Sequence, residues 1–272
     1  MGCRGGGSVG PLSTFADNFK GISLPPGYRL LALEAVGSTN EEARRLAKAG
    51  EKSDLWVVAR TQSAGRGRRG RHWVSEPGNF FGSLLLRPRS NHKEIANLSF
   101  VAAVALHETF AEISGGQVII ECDWPNDVLV GGTKVAGILL ESSFSGKSVP
   151  DWVVIGIGVN LIGGPELERH AFVSLEQVGI KSVTPSAFLE KLAVAMQNWL
   201  DIWWKSGFEP IRTAWLARAA GLGERIVVRY GKEVARGVFA DLSESGALIL
   251  ALPDGSRRQI LAADVLLDQG RG

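Results

Sequence analysis

Cysteine is nearly missing from this chain of 272 residues: Cys3 and Cys122 stand far apart and form no C-x-x-C pair. That scarcity excludes a disulfide framework and leaves no thiolate set for zinc, so the cytoplasm is the expected compartment. Charge of one sign is missing too. Thirty Lys and Arg against 28 Asp and Glu give a formal net charge of +2, so the chain as a whole is no general binder of polyanions. No apolar run is long enough to span a bilayer. The glycine-rich stretch Met1 to Gly10 lacks the apolar core of a secretory signal, and Gly6 stands where a myristoylation signal needs Ser or Thr. There is no G-x-x-x-x-G-K-[ST], which excludes a P-loop enzyme. What is present is ordinary: 45% hydrophobic and 21% charged residues, the profile of a globular protein with a sizeable core.

On this even background one segment concentrates charge. Gly65-Arg66-Gly67-Arg68-Arg69-Gly70-Arg71 sets four arginines among three glycines and is followed by His72-Trp73. Each glycine costs a helix about 1 kcal/mol against alanine, and no nearby acid in sequence pairs with the four guanidiniums. The run therefore reads as a flexible cationic loop suited to closing over a phosphate or carboxylate. Its glycines also fit G-x-G-x-x-G. A dinucleotide fold requires a helix to start there, however, and Ser75, Pro77 and Gly78 continue as loop instead. A solvated surface run, or a segment that touches RNA, is the plain alternative.

Periodicity organises the rest. Residues 1–27 read as a loose leader ending in Pro25-Pro26-Gly27. Tyr28 to Val36 reads as a strand, and Ser38-Thr39-Asn40-Glu41, with capping-box spacing, opens a helix through Ala49. Leu55 to Arg60 and Phe80 to Leu86 read as strands. Asn97 to Ile113 reads as a helix with Leu98, Val101 and Ala105 on one face. Val128 to Val130, Gly131-Gly132 and Val135 to Glu141 form a hairpin with a primed turn. Trp152 to Asn160 is a further strand, and Ser186 to Lys205 and Pro210 to Ala220 are helices. After Gly221 short strands and turn signals alternate. The expected architecture is α+β: a mixed-sheet domain over residues 28–221 and a small barrel-like unit over 222–272.

Three further segments bear on chemistry. Ser38-Thr39-Asn40 sits at a helix start, Trp124-Pro125-Asn126-Asp127 at a strand end, and Lys134-Val135-Ala136-Gly137 begins an apolar strand. Each has a plain structural reading, respectively a helix cap, turn chemistry and a snorkelling strand-edge lysine. Together and in this order, with Gln62, the arginine loop, Trp73 and Gly156-Ile157-Gly158-Val159-Asn160, they resemble the biotin protein ligases. The resemblance runs from about residue 28 to the C-terminus. It implies a class II synthetase-like catalytic domain with an SH3-like C-terminal barrel. No winged-helix segment is recognised, so a DNA-binding repressor role is not expected.

The resemblance implies two half-reactions: biotin and ATP give biotinyl-5′-AMP, and a lysine of a biotin carboxyl carrier domain, such as that of acetyl-CoA carboxylase, then attacks the mixed anhydride. It assigns Lys134 and Arg68 as catalytic. It assigns Ser38, Thr39, Asn40, Gln62, Arg66, Gly67, Arg68, Lys134 and Gly137 to biotin. It assigns Arg66, Arg68, Arg69, Trp73, Asn126, Asp127, Lys134 and Asn160 to the nucleotide, with Trp73 stacking on adenine and Asn160 reading its edge. Mg²⁺ is the default metal for the triphosphate. Its ligands are unknown, and Asp127 either touches it or orients neighbours. Members often form homodimers by sheet extension. One position departs from the pattern: Asp123 stands where family members usually carry a basic residue, and Glu121 lies on the same side of the strand. The position either faces away from the site or weakens nucleotide binding. The alternatives are a lipoate–protein ligase, which shares the fold, or a biotin-binding relative of low activity.

Overall fold

The computed structural model describes residues 14–87, 95–146, 149–163, 172–230, 233–261 and 263–267. The chain opens its sheet with β1 (Tyr28–Val36), crosses through α1 (Thr39–Lys48), and returns in β2 (Asp54–Gln62), which pairs with β1 in parallel. All later pairings are antiparallel: β3 (Phe80–Leu86), β4 (Ile120–Asp123), β5 (Asp127–Val130), β6 (Thr133–Ser143) and β7 (Trp152–Val159) complete a seven-stranded sheet in the order β1-β2-β3-β7-β6-β5-β4. Gly131 and Gly132 join β5 to β6 with φ of 57° and 74°, the left-handed pair that a primed hairpin turn demands.

One face of the sheet is covered by α2 (Leu98–Ser114), then α3 (Pro185–Ser206) and α4 (Glu209–Leu216). The periodicity of α2 suggested a single apolar face. Instead Phe100 and every residue from Val101 to Leu106 are buried, because the sheet, α3 and α4 enclose the helix. Thr184 caps α3, its hydroxyl accepting from the Ala187 amide at 3.2 Å. A second sheet, β11-β10-β9-β8-β12, follows, from β8 (Arg225–Tyr230), β9 (Glu233–Leu242), β10 (Leu248–Ala251), β11 (Arg257–Ile260) and β12 (Asp264–Leu267).

The two sheets share one core. Phe100 packs edge-on against Phe208 and Trp215, with centroids 5.3 and 5.4 Å apart, and Trp215 reaches Phe239 of β9 at 6.3 Å. Trp124 donates its indole N–H to the Gly246 carbonyl at 3.1 Å, and Arg212 binds Asp241 at 2.6 Å. The small unit is therefore fixed against the large sheet by aromatic burial and polar bonds together.

Of the expected leader, residues 1–13 lie outside the described residues, and the stretch after them departs from expectation. Phe15 and Phe19 lie in a short 3₁₀ turn (Phe15–Phe19), meet edge-on with centroids 4.9 Å apart, and are buried in the main core. Two aromatic rings give this stretch enough apolar area to dock beside β1, so it is not loose. Among the described residues no helix is long and apolar enough to cross a membrane.

Candidate active site

Strand and helix ends converge on a cavity of about 1280 Å³ that opens between the two sheets. One end is built by the β1–α1 turn. Ser38 is the N-cap of α1 in extended conformation, but its side chain makes no capping bond. The capping box that the sequence suggested does not form, because Gln62, at the end of β2, takes the role. Gln62 Oε1 accepts from the Thr39 amide at 2.8 Å and from the Thr39 hydroxyl at 3.1 Å. A cap delivered from the neighbouring strand satisfies the orphan donor as well as a local one does. It also leaves Ser38 on the cavity wall. Gln62 Nε2 donates to Ser75 Oγ at 3.0 Å, and Ser75 donates to the Trp73 carbonyl at 3.1 Å, so one amide ties the helix start to the loop.

Asn40 lines the same end but is already engaged. Its amide donates to the Leu139 carbonyl at 3.3 Å and to Glu141 at 2.8 Å, and its oxygen accepts from Ser83 at 2.6 Å. Asn40 thereby anchors α1 to the sheet, and Gly156 leaves it room: a Cβ there would lie 2.1 Å from Asn40 Oδ1.

The arginine run is more ordered than its glycines suggested. It forms a small hairpin in which Arg66 bridges His72, the Gly67 amide donates to the Arg71 carbonyl at 2.7 Å, and the Trp73 amide donates to the Gly65 carbonyl at 2.9 Å. The glycines have distinct reasons. A Cβ on Gly65 would lie 2.5 Å from the Trp73 carbonyl oxygen, and Gly70 has φ of 72° beside Arg69 at 56°. Arg66, Gly67, Arg68 and Arg69 all line the cavity. Arg68 is aimed by Asn126, whose Oδ1 accepts from Nη1 at 2.8 Å while its Nδ2 donates to the Ile138 carbonyl at 2.8 Å.

Trp73 lies flat on a floor of glycines. A Cβ on Gly158 would come within 2.4 Å of the indole, and one on Gly137 within 2.9 Å. The ammonium of Lys134 lies 5.6 Å from the ring centroid, within cation–π range. The indole N–H of Trp73 is buried without a partner among the described residues. Lys134 Nζ binds Asp127 Oδ2 at 2.5 Å, and the second oxygen, Asp127 Oδ1, is likewise buried without a partner among the described residues.

Asp123 does not face away. It pairs across β4–β5 with Asp127 and lines the cavity. Burial, then the Asp127 charge, pushes its carboxyl up to about 7, with Lys134 pulling the other way.

The cavity thus brings together every candidate residue except Asn160. Asn160 is buried beside the 172–175 segment, its Nδ2 donating to the Val173 carbonyl at 3.3 Å and its carbonyl accepting from Leu175 at 3.1 Å. Sequence reasoning missed Arg229 of β8 and Arg236 of β9, which line the opposite wall. In the β8–β9 register Arg236 lies opposite Val227, two residues from Arg229, so the three share a face. Among the described residues no group of three or more His, Cys, Asp or Glu is placed to hold a metal ion.

Comparison with known proteins places this geometry. Residues 33–160 match the biotin/lipoate A/B protein ligase family, and residues 221–268 match the biotin protein ligase C terminal domain. The biotin–[acetyl-CoA-carboxylase] ligase of Paracoccus denitrificans is 49% identical, the alignment covering 86% of this chain and 98% of that one. A biotin protein ligase from Aquifex aeolicus in complex with biotin and ATP superposes with a TM-score of 0.76 at 27% identity, covering 88% of this chain and 99% of that one. A biotin protein ligase from Leishmania major in complex with biotinyl-5-AMP gives a TM-score of 0.59 at 26% identity, covering 88% and 100%.

Proposed function

The chain belongs to the biotin/lipoate protein ligase family, on its biotin protein ligase branch, and from that premise we propose how its cavity works. The protein is an ATP-dependent biotin–protein ligase. It activates biotin as biotinyl-5′-AMP with release of pyrophosphate, then transfers the biotinyl group to a lysine of a biotin carboxyl carrier protein. In our reading that carrier belongs to acetyl-CoA carboxylase, as the name of the Paracoccus relative indicates for that enzyme.

One observation carries the assignment of residues. A single cavity of about 1280 Å³ joins the Thr39–Gln62 corner, the Arg68–Asn126 pair and the Lys134–Asp127 pair. A pocket for one drug-sized ligand measures about 300–1,000 Å³, so this larger space takes biotin and a nucleotide side by side. In our reading the Ser38, Thr39 and Gln62 end receives the ureido ring of biotin, whose donors and acceptors match hydroxyl and amide groups. Trp73, lying over Gly137 and Gly158, presents its cavity side to the adenine ring. The biotin carboxylate then points toward Lys134.

Adenylation brings that carboxylate against the α-phosphate. Two like charges at 4 Å repel by about 4 kcal/mol at an effective dielectric near 20. Lys134, held over the sheet by Asp127, and Arg68, held by Asn126, offset this repulsion as negative charge builds on the transferring phosphorus. Arg66, Arg69, Arg229 and Arg236 surround the same space and suit the remaining phosphates. The buried donor on Trp73 and the buried acceptor on Asp127 are groups that bound substrate can satisfy. Mg²⁺, the default metal for a triphosphate, would accompany ATP and neutralise part of its charge.

Incubation with labelled biotin, ATP, Mg²⁺ and a carrier domain tests the reading. Labelled carrier with stoichiometric AMP is expected. Transfer of lipoate in preference to biotin, or labelled adenylate without transfer, would replace it.

A further inference from the structure

Two aspartates face each other across the β4–β5 pair, and both line the cavity, yet their circumstances differ. Asp127 is committed: Lys134 holds its Oδ2 at 2.5 Å. Asp123 has no ion pair among the described residues. Its carboxyl feels burial, the like charges of Asp127 on β5 and Glu121 on β4, the opposite charge of Lys134 on β6, and the amide of Trp124.

Transfer to a lysine poses a problem that adenylation does not. The incoming side chain arrives as an ammonium, which has no lone pair and cannot attack. A group at the acyl centre must take a proton from it. Asp127 is ill suited, because protonating it would release Lys134 from its position. Asp123 accepts a proton without moving Lys134. A general base works best when its pKa lies near the working pH, and burial places this carboxyl at about 7. An ordinary lysine, near ~10.4, is a weaker acid than this pairing needs. Lys134 and Arg68 in the same cavity lower that value, since like charge disfavours the ammonium.

We propose that Asp123 is a catalytic residue of the transfer half-reaction: it receives the carrier lysine ammonium and accepts its proton. The inference rests on the ligase reading above. One N–H bond of the ammonium breaks and its proton passes to an Asp123 oxygen. The freed lone pair forms the C–N bond at the biotinyl carbonyl. The bond from that carbon to the phosphate oxygen breaks, its electron pair leaving with AMP, and the second nitrogen proton departs to solvent.

The two half-reactions separate the tests. Biotin-dependent pyrophosphate release by the wild-type enzyme and by Asp123→Asn measures adenylation alone. Rapid mixing of enzyme-bound biotinyl-AMP with a carrier domain measures transfer alone. Asp123→Asn is expected to slow transfer about 100-fold, the scale of general-base catalysis, and adenylation far less. Asp123→Glu is expected to restore part of the transfer rate. The wild-type transfer rate should rise with pH through a midpoint near 7 that Asp123→Asn removes. With hydroxylamine, an amine already neutral at that pH, the two proteins should react alike. Unchanged transfer to the carrier by Asp123→Asn, or equal slowing with hydroxylamine, would overturn the proposal while leaving the ligase reading intact. Failure of the wild-type enzyme to form the adenylate would overturn that reading and the proposal with it.

Discussion

Gly158 tests whether the floor beneath Trp73 sets catalytic geometry. In Gly158→Ala the new methyl carbon would lie 2.4 Å from Cε2, 2.6 Å from Cζ2 and 2.7 Å from Nε1 of Trp73. Carbon atoms rest about 3.5–4.0 Å apart, so the ring must lift by roughly 1 Å or more. The main chain cannot yield, because β7 is locked between β3 and β6, Gly158 pairing with Phe81 and Gly137. The ring can yield, since its other side is cavity. The stability cost therefore falls near the low end of overpacking, about 1 kcal/mol. The functional cost is larger. Trp73 and the neighbouring Lys134 both bound the reacting space, and a 1 Å misplacement costs about 100-fold, or about 2.7 kcal/mol of activation free energy. The assay is biotin-dependent pyrophosphate exchange, with kcat/KM compared between wild type and Gly158→Ala, and urea unfolding run beside it. Gly163→Ala, where a Cβ meets nothing within 4 Å, is the control. A kcat/KM for Gly158→Ala equal to that of Gly163→Ala would refute the reasoning, as would a loss explained by global unfolding.

Other substitutions probe separate contacts. Gly156→Ala drives a methyl into Asn40, which bonds Ser83, Leu139 and Glu141; a loss of about 2 kcal/mol in unfolding free energy is expected in urea titration. Asn126→Ala frees Arg68 from its 2.8 Å bond and should slow adenylation about tenfold while leaving unfolding within about 1 kcal/mol of wild type, measured by pyrophosphate exchange and chemical denaturation. Burial pushes the Cys122 thiol up to about 12, so peptide-level mass spectrometry should find it unalkylated by iodoacetamide in the native protein and labelled only after unfolding. His107 is depressed to about 4, chiefly by burial and then by Arg218, whose guanidinium donates to Nδ1 at 3.2 Å. The unfolded chain then binds the extra proton between about 6.5 and 4, so stability is full above that window and is lost as pH falls through it; His107→Gln should flatten this part of the curve.

Local chemistry made much of the molecule legible in one dimension. Phe80–Leu86 is a short, nearly continuous apolar run of the kind a fully buried strand needs, and the Gly131-Gly132 turn is set by backbone conformations that few residues tolerate. The chemical set was legible too, because forked cations, a lysine on an apolar strand and an amide-bearing turn are types that survive being read without coordinates. Contacts between distant segments were not. Ser38 looked like the cap of its own helix, and only the return of β2 shows Gln62 taking that bond. Asn160 stands at a strand end in the sequence, and only the fold sets its amide beside the 172–175 segment. Phe15 and Phe19 looked like part of a loose leader until the core beside β1 received them. Asp123 looked like a misfit whose facing was undetermined; the β4–β5 register points it into the cavity beside Asp127. Arg229 and Arg236 reach the same space only because aromatic packing fixes the second sheet against the first. Residue type and short-range periodicity are properties of the chain itself, whereas which side chain meets which charge depends on strand register and on packing between elements far apart in sequence.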